Sequence, residues 1–201
     1  CEFLVEQHAL TFELRPSPFG HVGVFAEQLA NWRWLVNRIA RASRPLKLLN
    51  LFAYTGGSSL AAAAAGAEMT HVDAAANIVQ RARRNAELSR LADRPVRWIT
   101  EDVRKYCERE LRRGNYYDGV ILDPPTFGRG PKGEPWQIEK HLLGLLDVCS
   151  ELTRRAPTLV LVTCHTASIG PAELGAYVAD GMFGSCSQSA ATGQLTLDTA
   201  E

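Results

Sequence analysis

The sequence predicts an α/β chain built on a doubly wound, mostly parallel sheet, with a short N-terminal β segment and a helix ahead of it. Three observations predict this. From Leu46 onward, compact apolar runs of strand length alternate with segments of helical period. The first of those runs passes directly into a glycine turn and an alanine-rich helix. The length of 201 residues, with 46% hydrophobic and 22% charged residues, suits one large packed core and is cramped for two full domains.

Taken in order, Phe3, Val5, Leu10, Phe12 and Leu14 alternate with polar residues, the period of a half-buried strand pair, until Pro16 and Pro18 break it. Phe25, Leu29, Trp32, Leu35, Val36 and Ile39 then recur at helical spacing, which predicts an amphipathic helix over 25–42, ended by Ser43 and Pro45. The first unit, 1–44, is expected to pack on the second, 45–201. In the second unit strands are predicted at 46–52, 69–73, 96–100, 119–122 and 159–163, with helices at 75–89, 103–112 and 138–155. Strands joined through helices imply right-handed crossovers and a parallel sheet covered on both faces. The stretch 183–193, rich in Gly, Ser and Ala, reads as a loose loop before a last strand at 194–198.

Charge and composition exclude several classes of function. Lys plus Arg and Asp plus Glu each number 22, so net charge is zero and a polyanion partner must be held by a local patch. The longest apolar runs, such as 60–65 and 159–162, are far too short to span a bilayer, so no membrane partner and a cytoplasmic location are expected. Five scattered cysteines without C-x-x-C spacing suit reduced thiols. His8, His21, His71 and His141 make no metal-ligand spacing, and neither H-E-x-x-H nor G-x-S-x-G occurs, so no metal is expected.

In a doubly wound sheet the ligand crevice lies beyond the carboxyl ends of the strands, and the informative residues sit there. Tyr54-Thr55-Gly56-Gly57-Ser58-Ser59 allows a ligand close to the backbone at a helix N-terminus, and without Gly-Lys-Ser/Thr it disfavours ATP hydrolysis. Asp73 ends the second strand, where a carboxylate accepts ribose hydroxyls or else caps the next helix. Asp102 poses the same alternative after the third. Together these endings specify a cofactor carrying a nucleoside. Asp123-Pro124-Pro125-Thr126-Phe127 is the most specific signal: two prolines fix the backbone into a carbonyl acceptor edge, Asp123 adds a carboxylate, and Phe127 offers a stacking face for a planar base. Cys164, closing the next strand, is a candidate nucleophile or a small core residue. Adjacent strand residues point to opposite faces, so His165 lends it no help.

These residues resemble the class I S-adenosylmethionine-dependent methyltransferases, and among them the bacterial large-subunit ribosomal RNA cytosine-5 methyltransferase family. The likeness runs from about His21 to about Met182. It rests on Asn50-Leu51-Phe52-Ala53-Tyr54-Thr55-Gly56-Gly57, Val72-Asp73, Glu101-Asp102-Val103, Leu122 through Phe127, Thr163-Cys164, and the earlier Gly23-Val24-Phe25-Ala26-Glu27-Gln28, in which Glu27 replaces the usual Asp. The resemblance implies a Rossmann-like methyltransferase fold and makes 45–201 the catalytic domain. S-adenosyl-L-methionine is its implied cofactor, held by Gln28, Phe52, Tyr54, Thr55, Gly56, Asp73, Ala74, Asp102, Val103 and Asp123. It also implies an RNA partner, ribosomal RNA first of all, with the base held by Pro124, Pro125 and Phe127. Arg129 and Lys132 flank that pocket as the cations expected to meet RNA, whereas Arg81, Arg83 and Arg84 read as a solvated helix face.

For catalysis the resemblance points to Cys164 and Asp123. C5 of cytosine is too weak a nucleophile to take a methyl group from a sulfonium, so a thiolate first adds at C6, and a base later removes the C5 proton. Two other classes remain open. A methyltransferase of an exocyclic amine would use Asp123 and the Pro124 carbonyl and would not need Cys164. A dinucleotide-dependent oxidoreductase would explain the first glycine turn and Asp73 and leave the Asp-Pro-Pro loop without a purpose.

Overall fold

The computed structural model describes residues 1–5, 8–15, 22–184 and 191–195. Strands β1 (Glu2–Val5) and β2 (His8–Thr11) form the expected antiparallel pair. A single turn of 3-10 helix, Ala26–Gln28, leads into α1 (Leu29–Ala40), which buries Trp32, Leu35, Val36 and Ile39. Then come β3 (Lys47–Leu51), α2 (Gly57–Ala64), β4 (Glu68–Asp73), α3 (Ala76–Leu88), β5 (Val96–Thr100), α4 (Val103–Arg112) and β6 (Gly119–Leu122). A short hairpin of β7 (Phe127–Arg129) and β8 (Pro135–Gln137) precedes α5 (Ile138–Leu152), β9 (Leu159–Val162) and α6 (Pro171–Phe183).

The central sheet has the order β5-β4-β3-β6-β9 and every pair is parallel. Alternation along each strand sends side chains to two helical layers. From β3, Leu49 and Leu51 join β6 residues Val120 and Leu122 in a core completed by α4, α5 and α6. On the other face Leu48 and Ile121 pack with Leu35 and Ile39 of α1 and Ala62 and Ala63 of α2. Ala61 to Ala64 are all buried, because methyl groups let α2 lie close against both the sheet and α1. The doubly wound architecture expected from the sequence is the one observed.

Three local expectations differ from the structure. The hairpin β7–β8 forms within a Gly- and Pro-rich run that gave no strand signal. Helix α6 was not foreseen; Pro171 occupies its first turn and Gly184, at φ 66°, ends it in the left-handed region. Residues 191–195 carry no strand, so the start of the predicted last strand, Gln194 and Leu195, is irregular. The remainder of that strand, like Pro16 and Pro18, lies outside the described residues.

Candidate active site

β3 and β6 are neighbours in the sheet while their following connections leave toward opposite edges, so the crevice opens at their carboxyl ends. The β3 exit supplies one wall. Phe52 (φ 55°), Tyr54 (φ 48°) and Gly56 (φ 99°) are all left-handed, and two of them carry side chains that disfavour it by roughly 1–2 kcal/mol each. The turn is held by what surrounds it. Ala53 N–H donates to Val72 C=O (3.1 Å), Tyr54 N–H to Asp73 Oδ2 (2.9 Å), and Thr55 Oγ1 to Gly23 C=O (2.6 Å). Asn85, fully buried on α3, donates from Nδ2 to Thr55 C=O at 3.0 Å and accepts the Glu13 N–H on Oδ1 at 2.9 Å. Gly57 must be glycine for a steric reason, since a Cβ there would run into the Trp32 ring.

Asp73 accepts a second amide, that of Ala75, at 3.0 Å. Burial pushes its carboxyl above the ordinary value although these amides pull the other way. The two alternatives for Asp102 meet in one side chain: it caps α4 by accepting the amides of Arg104 and Lys105, both at 3.1 Å, and it is buried. Val103 beside it belongs to the core. Above Asp102 lies the hairpin, close enough that a Cβ on Gly130 would sit 3.0 Å from Asp102 Oδ2. Lys105 Nζ to Glu134 (2.6 Å) and Arg104 to the Pro135 carbonyl (3.0 Å) clasp this hairpin to α4.

At the β6 exit, burial likewise raises the Asp123 carboxyl, opposed by a 2.5 Å bond from Thr163 Oγ1 and by His165, and reinforced by Glu27. His165 Nε2 stands 3.7 Å from Asp123 Oδ1, and its ring lies 6.2 Å from Phe25. Strand β9 stops at Val162, so beyond it alternation no longer governs: His165 faces Asp123, whereas Cys164 packs against the apolar cluster and its Sγ accepts the Thr166 N–H at 3.4 Å. Of the two proline carbonyls, that of Pro125 accepts Trp136 Nε1 (2.7 Å), which leaves the Pro124 carbonyl as the acceptor without a hydrogen bond among the described residues. Trp136 in turn tilts against Phe52 at 4.7 Å. Phe127 is 71% exposed. Arg129 is exposed on the hairpin, and the exposed Lys132 gives its backbone amide to Glu134.

A cleft lined by Phe25, Gln28, Trp32, Phe52, Tyr54, Thr55, Ser58 and Asp123 joins the two exits. Gln28 is 6% exposed; its Oε1 accepts from Asn31 Nδ2 at 2.8 Å, while its Nε2 has no partner among the described residues. Among the described residues no group of three His, Cys, Asp or Glu could hold a metal ion, and no helix is long and apolar enough to cross a membrane. Sequence reasoning missed Asn85, which no periodicity marks, and misread Arg81. Arg81 donates to the Glu13 carbonyl at 3.3 Å and interacts with Tyr54, so it braces the glycine turn and is no solvated face.

Residues 3–179 match the model of a family described as S-adenosylmethionine-dependent methyltransferase. The chain belongs to the S-adenosylmethionine-dependent methyltransferases. S-adenosyl-L-methionine, which the resemblance implied, is the cofactor for which this family is named. The methyltransferase chain is 34% identical over 80% of its length to a ribosomal RNA large subunit methyltransferase K/L of Hahella chejuensis, and covers 21% of that protein. It is 32% identical over 83% of its length to a ribosomal RNA large subunit methyltransferase of Deinococcus radiodurans, of which it covers 40%. Both relatives are thus much longer than this chain. A SAM-dependent methyltransferase from Agrobacterium tumefaciens superposes with TM-score 0.84 at 42% identity, over 92% of this chain and 59% of that one.

Proposed function

We propose that this methyltransferase moves a methyl group from S-adenosylmethionine to a base of RNA, with ribosomal RNA in the cytoplasm as its substrate. The observation that carries the reading is the β6 exit: Asp123 lines the cleft, the carbonyl of the adjoining Pro124 accepts no hydrogen bond among the described residues, and Phe127, four residues after Asp123, is exposed. A base taken out of its stack finds there both hydrogen-bond partners and a stacking surface.

The chain's residues fit the cofactor. Gln28 Nε2 is a buried donor with no partner among the described residues, suited to a carboxylate, and the first residues of α2, Gly57 and Ser58, line the same cleft. On this reading Asp73 supplies acceptor oxygens for ribose hydroxyls, its neighbour Ala74 flanks the nucleoside, and Asp102 with Val103 takes the adenine. When bound, the cofactor supplies an electrophilic methyl group on a sulfonium. Phe52, Tyr54, Thr55 and Gly56 would form the wall on which the cofactor rests, and Asp123 would accept the proton that the base gives up.

For the position on the base we propose cytosine C5, with Cys164 adding its sulfur at C6 and leaving again after the C5 proton departs. A second reading, methylation of an exocyclic amine, is favoured by one observation: Asp123 lines the cleft, whereas Cys164 packs against the apolar cluster. Substituting Cys164→Ala separates the two. The C5 reading expects no turnover with cofactor binding intact, and a trapped adduct between the wild type and 5-fluorocytosine RNA. Retained methylation without an adduct assigns the chemistry to Asp123 and Pro124. Calorimetry with S-adenosylhomocysteine and with NAD tests the cofactor itself, and saturable NAD binding would sink the methyltransferase reading in favour of an oxidoreductase.

A further inference from the structure

Positive charge in this chain is distributed unevenly. Between Glu27 and Glu68 there are five cations, Arg33, Arg38, Arg41, Arg44 and Lys47, and no carboxylate, although the chain as a whole is neutral. Helix α1 carries Arg33 and Arg38 away from its buried residues and Arg41 follows at its end, all three exposed together with Trp34, itself 40% exposed. Arg44 pairs with Asp118, and elsewhere arginines also meet carboxylates, as in Arg84–Glu87, Arg97–Glu110 and Arg109–Glu101. Among the described residues, no carboxylate lies within ion-pair distance of Arg33, Arg38 or Arg41. Repulsion among close like charges is unfavourable, and a bound polyanion relieves it.

The ridge also has a direction. The first turn of α1 adjoins Gln28 and Trp32 in the cleft. The helix runs twelve residues, about 18 Å, and four residues past its end Arg44 lies in a groove of about 440 Å³ that also includes Lys47, Tyr116 and Arg154, with Asp118 paired to Arg44 and Glu68 at its side. There Arg154 lies 4.2 Å over the Tyr116 ring, and Lys47 Nζ 5.2 Å over Tyr117. Exposed guanidinium groups interleaved with an exposed indole suit phosphates alternating with planar bases.

We propose that the outer face of α1, continuing into this groove, is a docking track for the phosphodiester backbone of the substrate RNA, with Trp34 stacking on one of its bases. The proposal rests on the RNA reading above and gives the bound strand a path from the cleft mouth down the side of the sheet. It is separate from Arg129 and Lys132 on the hairpin.

The test measures binding of poly(U) and of a large-subunit ribosomal RNA transcript to the full chain across a salt series, with S-adenosylhomocysteine calorimetry as the check on folding. Replacing Arg33, Arg38 and Arg41 together by Ala should lower the slope of log affinity against log salt by about two, since each phosphate contact on a single strand contributes roughly 0.7. Affinity at low salt should fall at least about tenfold, with S-adenosylhomocysteine binding unchanged. A control carrying Arg83→Ala, Arg94→Ala and Arg112→Ala, exposed arginines on other elements with the same total charge change, should alter the slope by less than one contact's worth, about 0.7. Trp34→Ala should weaken binding several-fold without altering the slope. Arg33→Gln and Arg41→Gln, singly, should each remove about 0.7 from the slope, which keeps the test decisive if the triple variant fails to fold. A wild type that binds RNA with a slope the α1 variants leave unchanged, or that the control changes equally, overturns the track and leaves the RNA reading standing. A wild type that binds S-adenosylhomocysteine but neither RNA, or that prefers phosphatidylserine vesicles to both, overturns the RNA reading and the track with it.

Discussion

Asn85→Ala is the substitution that most directly loads the glycine turn. Asn85 is fully buried and joins three parts of the molecule: α3, the Glu13 amide after β2, and the Thr55 carbonyl in the turn. Removing the side-chain amide leaves one buried donor and one buried acceptor unpaired, each costing about 1–3 kcal/mol. Alanine is the better helix former by up to about 0.7 kcal/mol, which offsets part of this. The net expectation is a loss of roughly 1.5–5 kcal/mol in urea unfolding. Because the turn holds Phe52 and Tyr54 in the left-handed region, losing its brace should also weaken S-adenosylhomocysteine binding by calorimetry. Asn85→Asp separates the two effects: it keeps an acceptor for the Glu13 N–H but sets a carboxylate oxygen against the Thr55 carbonyl, so ligand affinity should suffer more than the N-terminal contact. A loss of stability below about 0.5 kcal/mol, the range of an unremarkable surface change, with unchanged ligand affinity would refute the idea that Asn85 braces the cleft.

Other expectations concern pH, stacking and local charge. Burial lowers the His71 pKa to about 3, so the imidazole stays neutral in the folded state while the unfolded chain takes a proton below about 6.5. Its contribution is therefore complete above that value and is lost as pH falls toward 3, at up to about 1.4 kcal/mol per unit. The difference between wild type and His71→Gln across a pH series isolates this slope, and parallel curves would contradict it. Phe127→Ala, at a position 71% exposed, should change stability by less than about 0.5 kcal/mol and weaken RNA binding on the scale of one base stack, roughly 1–3 kcal/mol. Replacing Arg129 and Lys132 by Ala should lower RNA affinity and flatten its salt dependence; an unchanged slope would assign those contacts elsewhere.

Much of the sheet was legible because its signals are periodic and local. The β3 run, the glycine turn and the alanine-rich α2 follow one another within twenty residues, and the carboxylates Asp73, Asp102 and Asp123 fall at strand ends where the topology brings them to one edge. Helix α6 was harder to see: its alanines and glycines leave little amphipathic contrast, and Pro171 and Gly184 mark only its ends. Hairpin β7–β8 has three-residue strands whose fixing contacts, Lys105–Glu134 and Trp136–Pro125, depend on folded geometry. The same applies within the site. Asn85 acts on Glu13 across 72 positions and on Thr55 across 30, distances over which no spacing rule operates. His165 was set aside by strand alternation, which ends with β9 three residues before it.

The central claim, methyl transfer to an RNA base at the Asp123 edge, is tested most directly by incubating the chain with methyl-labelled S-adenosylmethionine and large-subunit ribosomal RNA, then digesting the RNA to nucleosides. The account predicts label in a base-modified nucleoside, 5-methylcytidine under the cysteine mechanism, and loss of that label in Asp123→Ala. Label found only on protein or on a ribose hydroxyl, or transfer that Asp123→Ala leaves undiminished, would contradict it.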